Sequence, residues 1–180
     1  MANQGQIVEI PGNSPLYARE APPFLSKKEM LSWESEKMPY SLFDGFLVGG
    51  HSGVEHFKIG QRRGINVGGK KEPLYVIHID QKENRLFVGA GERHPGLWTK
   101  VISFDAKKLH WKEGEYFSSE ELEKGIPIGL ATSVLEKDIR TLFYIFNEEG
   151  YFEFERPVSV SIKEHPIQLL YKDKIIANIN

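Results

Sequence analysis

From residue 46 to its end the chain is cut into short runs rich in Val, Ile, Leu, Phe and Tyr, separated by glycines and charged turns about every 8 to 12 residues. Runs this short stabilise nothing alone; they must pair edge to edge, as in sandwiches and small barrels. The spacing predicts strands over 46–49, 54–59, 73–79, 84–90, 97–104, 128–135, 139–147, 151–156, 158–163, 166–171 and 174–178. Residues 5–10, Gly-Gln-Ile-Val-Glu-Ile, add an earlier strand that stops at the turn signal Pro11-Gly12-Asn13. Asn147-Glu-Glu-Gly150 predicts a hairpin between 139–147 and 151–156, and Lys172-Asp173 divides the last two strands in the same manner. Two helices interrupt the pattern. One covers 26–37, where Ser26 and Glu29 are spaced as a capping pair; the other follows Ser118, with Glu121 three residues on and Gly125 at its end. The fold class is therefore mainly β.

Cysteine is absent, which removes disulfides, thiolate zinc sites and cysteine nucleophiles. The net charge of -2 supplies no global positive field, so any polyanion site must be a local cluster of cations. The N-terminus has no cationic region leading into an apolar core, and no window approaches the roughly 18 apolar residues of a membrane span. The expectation is a cytoplasmic chain without a membrane partner.

One segment concentrates cations beside glycines. Between His51 and Lys71 a short apolar run empties into Gly60-Gln-Arg-Arg-Gly64 and then Gly68-Gly-Lys-Lys71. Glycine lets the backbone turn through positive φ and approach a ligand, while guanidinium and ammonium groups donate charge-assisted hydrogen bonds to phosphate oxygens. The candidate contacts with an RNA backbone are Gln61, Arg62 and Arg63, with Lys58, His51, Lys70, Lys71 and Arg93 around them. No residue here reads as catalytic. Gly68-Gly-Lys-Lys71 is not a nucleotide-hydrolysing loop, because Glu72-Pro73 and a strand follow it where Ser or Thr and a helix are needed. His51 and His56 are the closest pair among six histidines, but their spacing on a strand puts the rings on opposite faces, so no metal site is expected. Most aromatics are spaced as strand faces; Tyr17, Trp33 and Trp98 are the ones free enough to serve as stacking platforms.

Gly50-His51-Ser-Gly53, Phe57-Lys-Ile-Gly-Gln-Arg-Arg-Gly64, Gly68-Gly69, Glu72-Pro73-Leu-Tyr-Val76, Asn84-Arg-Leu-Phe-Val-Gly89 and His94-Pro95 occur in an order and with gaps that resemble the linker and barrel region of tRNA-specific 2-thiouridylases. The resemblance is strong over 46–111, where Leu109-His-Trp111 matches a turn within the barrel, and architectural beyond that. It implies a small central β domain over 1–72 with a short helical insertion at 14–45, followed by a translation-factor-like antiparallel β-barrel over 73–180. In the resembled family these parts hold tRNA by its anticodon arm for an adenylating domain that uses ATP and a sulfur donor to replace oxygen by sulfur at the wobble uridine. That domain's phosphate loop and catalytic cysteines are not found in these residues, so the resemblance implies a catalytic domain or partner chain elsewhere and no cofactor here. The segment 133–140 and the terminal Ile175-Ile-Ala-Asn-Ile-Asn180 depart from the family pattern. The competing reading is a β-barrel module that binds protein, with the cationic turn as docking surface.

Overall fold

The computed structural model describes residues 4–114, 116–136 and 139–180; two residues of the divergent 133–140 segment, 137 and 138, lie outside the described residues. The chain divides into two compact units, one formed by Met1–Ala21 and Lys37–Trp98, the other by Pro22–Glu36 and Thr99–Asn180.

In the first unit, β1 (Gly5–Glu9), β2 (Phe46–His51), β3 (Leu74–Asp80) and β4 (Arg85–Ala90) form a four-stranded sheet in the order β2-β1-β4-β3. β1 is antiparallel to β2 but parallel to β4, with Ile7 opposite Leu86 and Val8 opposite Phe87. Alternation then sends successive apolar residues to opposite faces. Ile7, Leu86, Val88, Leu74 and Val76 pack with Ile65 on one side, and Val8, Ile10, Phe87 and Ile77 with Leu97 on the other. The division expected at residue 72 therefore falls inside this unit. β3 and β4 complete the sheet begun by β1, through a long-range parallel pairing that no local pattern announces.

The second unit has a seven-stranded sheet in the order β5-β9-β8-β7-β10-β11-β6, curled into a half-barrel. Its strands are β5 (Trp98–Asp105), whose first residue belongs to the other unit, β6 (Leu109–Trp111), β7 (Ile126–Ala131), β8 (Thr141–Phe146), β9 (Glu149–Ser159), β10 (Ile167–Tyr171) and β11 (Lys174–Ile179). Its core is built on Phe143, Phe152, Phe154, Leu169 and Ile176. The last hairpin turns through Lys172 and Asp173, both at left-handed φ of 49° and 62°, as a two-residue type I′ connection requires. At the β8–β9 turn Asn147 takes the left-handed position at φ 56°, and the strands pair from Phe146 opposite Glu149. α2 (Ser119–Lys124) carries the reciprocal Ser118 and Glu121 cap and ends at Gly125.

Four local expectations differ. Residues 54–59 are not a strand: Val54–His56 makes a 3-10 turn, and Phe57 and Ile59 pack as a loop against the first sheet. Leu109–Trp111 is a short strand, not a turn, because Ala177 and Ile179 of β11 offer it an edge. Val160–Glu164 is a 3-10 helix capped by Ser159, and β7 begins two residues earlier and stops sooner than its apolar run.

The 14–45 insertion is shared. Tyr17, Tyr40 and Leu42 pack against the first sheet, whereas α1 (Lys27–Ser35), capped by the Ser26 hydroxyl on the Glu29 N–H at 3.1 Å, belongs to the second unit. α1 buries Leu31 fully among Val101, Tyr144 and Tyr151, and Lys27 and Lys28 pair with Glu153 and Glu149 of β9 at 2.8 and 2.9 Å. Among the described residues no helix is long and apolar enough to cross a membrane.

Candidate nucleic-acid interface

The cationic loop lies in the first unit and is fastened to β3 where its turn begins. The Gly60 N–H donates to the Val76 carbonyl at 2.7 Å, and the Val76 N–H returns a bond to the Gln61 carbonyl at 2.9 Å. Gln61 is the internal brace: its Oε1 accepts from the Lys58 N–H at 3.0 Å and its Nε2 donates to the Arg63 carbonyl at 2.8 Å. Gly60 and Gly64 stand at φ 83° and 86°, conformations a residue with a Cβ adopts only at a cost, so the turn needs both glycines. The result holds Arg62 and Arg63 outward on a loop tied to a core strand.

Lys58, Arg62, Arg63, Lys71 and Arg93 are exposed, and among the described residues none of them enters an ion pair. Arg62, Lys71 and Lys70 line one cleft of about 390 Å³, floored by Ile65 and Leu74, so the two glycine-cation segments meet in space. Lys70 differs from its neighbours because its ammonium pairs with Glu9 of β1. That partner neutralises it and ties the 68–71 segment to the sheet. Gln61 is engaged by its own loop through both its amide oxygen and its amide nitrogen.

His51 is placed differently from the expectation that it touches RNA. It is only 7% exposed, its Nδ1 accepts from the Gly53 N–H at 3.1 Å, and its ring packs edge-on against Phe57 at 5.5 Å. It shapes the exit from β2. His56 does not share a strand with it; His56 ends the 3-10 turn, exposed beside Glu55. Among the described residues no group of three or more His, Asp or Glu is disposed to hold a metal.

A second element joins the loop through Tyr75 of β3. Its phenol donates to Glu92 Oε1 at 3.0 Å, and the Arg62 guanidinium acts on the same phenol electrostatically, so Arg62 and the 91–94 tip with Arg93 both face Tyr75. Partial burial, and then the Glu92 carboxylate, push the Tyr75 phenol above its ordinary value, while Arg62 pulls it down. At the end of the same tip the Trp98 indole N–H donates to the Glu92 carbonyl at 2.8 Å, leaving the residue 45% exposed. Sequence reading grouped Tyr75 with the core aromatics; its phenol on the Arg62–Glu92 axis is visible only once β3 lies beside the loop. Of the other candidate stacking residues, Tyr17 is half-buried against Tyr40 and His94, and Trp33 lies against Phe24.

Comparison with known sequences sharpens the setting of this surface. Residues 35–90, which include β2, the loop, β3 and β4, match the model of the tRNA methyl transferase PRC-barrel domain family. The tRNA-specific 2-thiouridylase MnmA of Flavobacterium johnsoniae is 40% identical over 119 residues, covering 62% of this chain and 30% of that protein. By sequence, this chain is a partial relative of the tRNA-specific 2-thiouridylases. The MnmA of Karelsulcia muelleri is 32% identical over 154 residues, 86% of this chain and 37% of its own length, and that of Christiangramia forsetii is 40% identical over 110 residues. The chain thus spans about a third of the length of the curated 2-thiouridylases it matches.

Proposed function

We propose that this chain is the tRNA-holding portion of a 2-thiouridylase, working in the cytoplasm and presenting the anticodon arm for sulfur transfer to the wobble uridine. The adenylation, with its ATP and sulfur donor, belongs in this reading to a domain or chain outside these 180 residues, which contain no cysteine. The observation that supports it best is the pair Arg62 and Arg63, exposed and, among the described residues, without ion pairs on a braced loop inside the segment that matches the family model. Guanidiniums fixed in this way fit phosphate oxygens while reading no bases.

The test is tRNA mobility shift across a salt series. Binding should fall linearly in log–log terms with a slope set by the number of phosphates neutralised. Arg62→Glu with Arg63→Glu should abolish the shift without moving the unfolding midpoint. Binding unchanged in that double variant overturns the reading.

A second reading, docking of a protein, is favoured by one specific feature. β2 is an edge strand, and Phe46 on it and Phe43 just before it are 67% and 98% exposed, with Leu47 beside them. A complex held through that surface would be nearly insensitive to salt and would be lost on Phe46→Lys.

A further inference from the structure

The exposed indole at the start of β5 has no packing explanation. Trp98 carries one polar atom, and its N–H is spent on the Glu92 carbonyl, so the exposed 45% of the residue offers the solvent little besides aromatic carbon. The ring is also fixed. Residues 94–97 just before it form a turn in which the buried His94 caps Gly96 at 3.1 Å, Leu97 is buried in the core beside Phe87, and the indole N–H is tied back across the turn.

The tip to which the indole is tied carries an exposed guanidinium. Arg93 sits beside Glu92 on the same tip, the Tyr75 phenol donates to Glu92, and the Arg62 guanidinium acts electrostatically on that phenol. Of the acids at the tip, Glu92 has a carboxylate oxygen held by the Tyr75 hydroxyl at 3.0 Å, and the Glu72 carboxylate lies against Gly91. Aromatic surface beside guanidiniums is the combination that binds single-stranded nucleic acid, with the ring taking a base face and the cations taking phosphates on either side.

Resting on the RNA-holding reading above, we infer that Trp98 is a stacking platform for one unpaired base of the bound RNA, with Arg93 and Arg62 on the flanking phosphates. The ligand class is RNA with an accessible single-stranded nucleotide, as in a loop, rather than continuous duplex.

Three measurements on the full chain decide it. Trp98→Ala should weaken tRNA binding roughly 5- to 100-fold, and Trp98→Phe should restore most of the loss. The log–log salt slope should stay the same in both, because stacking releases no counterions, whereas Arg93→Gln should lower it. In a Trp33→Phe, Trp111→Phe background, where Trp98 is the sole indole, its fluorescence should quench on saturation with a single-stranded oligoribonucleotide and stay unchanged with a blunt duplex of equal length. If Trp98→Ala binds tRNA like the parent while Arg62→Glu with Arg63→Glu does not bind, the stacking role is wrong and the RNA-holding reading survives. An indole signal unmoved by saturating tRNA overturns it as well, without depending on how any alanine variant folds. If the parent chain fails to bind tRNA, both readings fall together.

Discussion

The Nε2–H of His94 donates to the carbonyl of Ile10 at 2.8 Å, bridging the 3-10 turn before β5 to the end of β1. Because Nδ1 accepts from the Gly96 N–H at 3.1 Å, one ring nitrogen donates and the other accepts, a division that only neutral imidazole satisfies. The ring is 3% exposed and packs edge-on against Tyr17 at 5.5 Å.

This arrangement predicts acid sensitivity. Burial lowers the His94 pKa below 6.5, with the Ile10 carbonyl opposing, and burial beside Lys37 lowers that of His78 in the same unit. The unfolded chain then binds protons that the folded one refuses, so this contribution is fully present above about 6.5 and is lost as pH falls toward the folded values. The urea midpoint of the first unit should drop between about pH 7 and pH 5, and His94→Gln, which keeps a donor for Ile10, should flatten the drop. A pH-independent midpoint would refute the assignment.

Gly89 of β4 lies directly under the same ring. A Cβ built there would stand 2.4 Å from the imidazole, and neither the strand nor the buried ring has room to yield. Gly89→Ala should therefore destabilise the first unit by about 1–3 kcal/mol, read from chemical denaturation.

Leu31 tests whether the α1 insertion is structural. Removing its buried side chain from among Val101, Tyr144 and Tyr151 should cost about 2–5 kcal/mol in the second unit. A cost below about 1 kcal/mol would show that α1 is only loosely attached.

Gln61→Ala changes no charge but removes both braces of the cationic turn. Each such bond contributes about 0.5–1.5 kcal/mol, so with both lost tRNA affinity should fall by roughly 5- to 150-fold with the salt slope retained. An unaltered affinity would mean that the turn holds its shape without Gln61.

Lys70 and Lys71 should separate. Lys71→Met should reduce the salt slope by about one phosphate, while Lys70→Met should leave it near the parent value because Lys70 is already paired with Glu9. Equal effects would show that the pair opens when RNA binds.

Residues with local consequences were legible in the chain. Ser26 with Glu29, Ser118 with Glu121, and the Lys172-Asp173 turn each act within a few positions, and each stands where its spacing placed it. Val54–His56 was not, since its apolar neighbours Phe57 and Ile59 satisfy a loop cover as well as a strand. The cations divided on the same principle: exposure of Arg62 and Arg63 followed from their glycine-flanked turn, while the capture of Lys70 by Glu9 spans 61 residues of sequence.

By itself, then, the order of residues determined that this is a mainly β chain without thiols, carrying guanidiniums on a glycine-bounded turn. Tertiary structure alone decided that β1 pairs in parallel with β4, that His51 turns inward, and that Tyr75 bonds to Glu92 on the tip bearing Arg93 and Trp98. Caps and turns are settled by bonds a few residues long, whereas strand partners and side-chain neighbours depend on burying apolar surface between distant segments, which no short window of sequence contains.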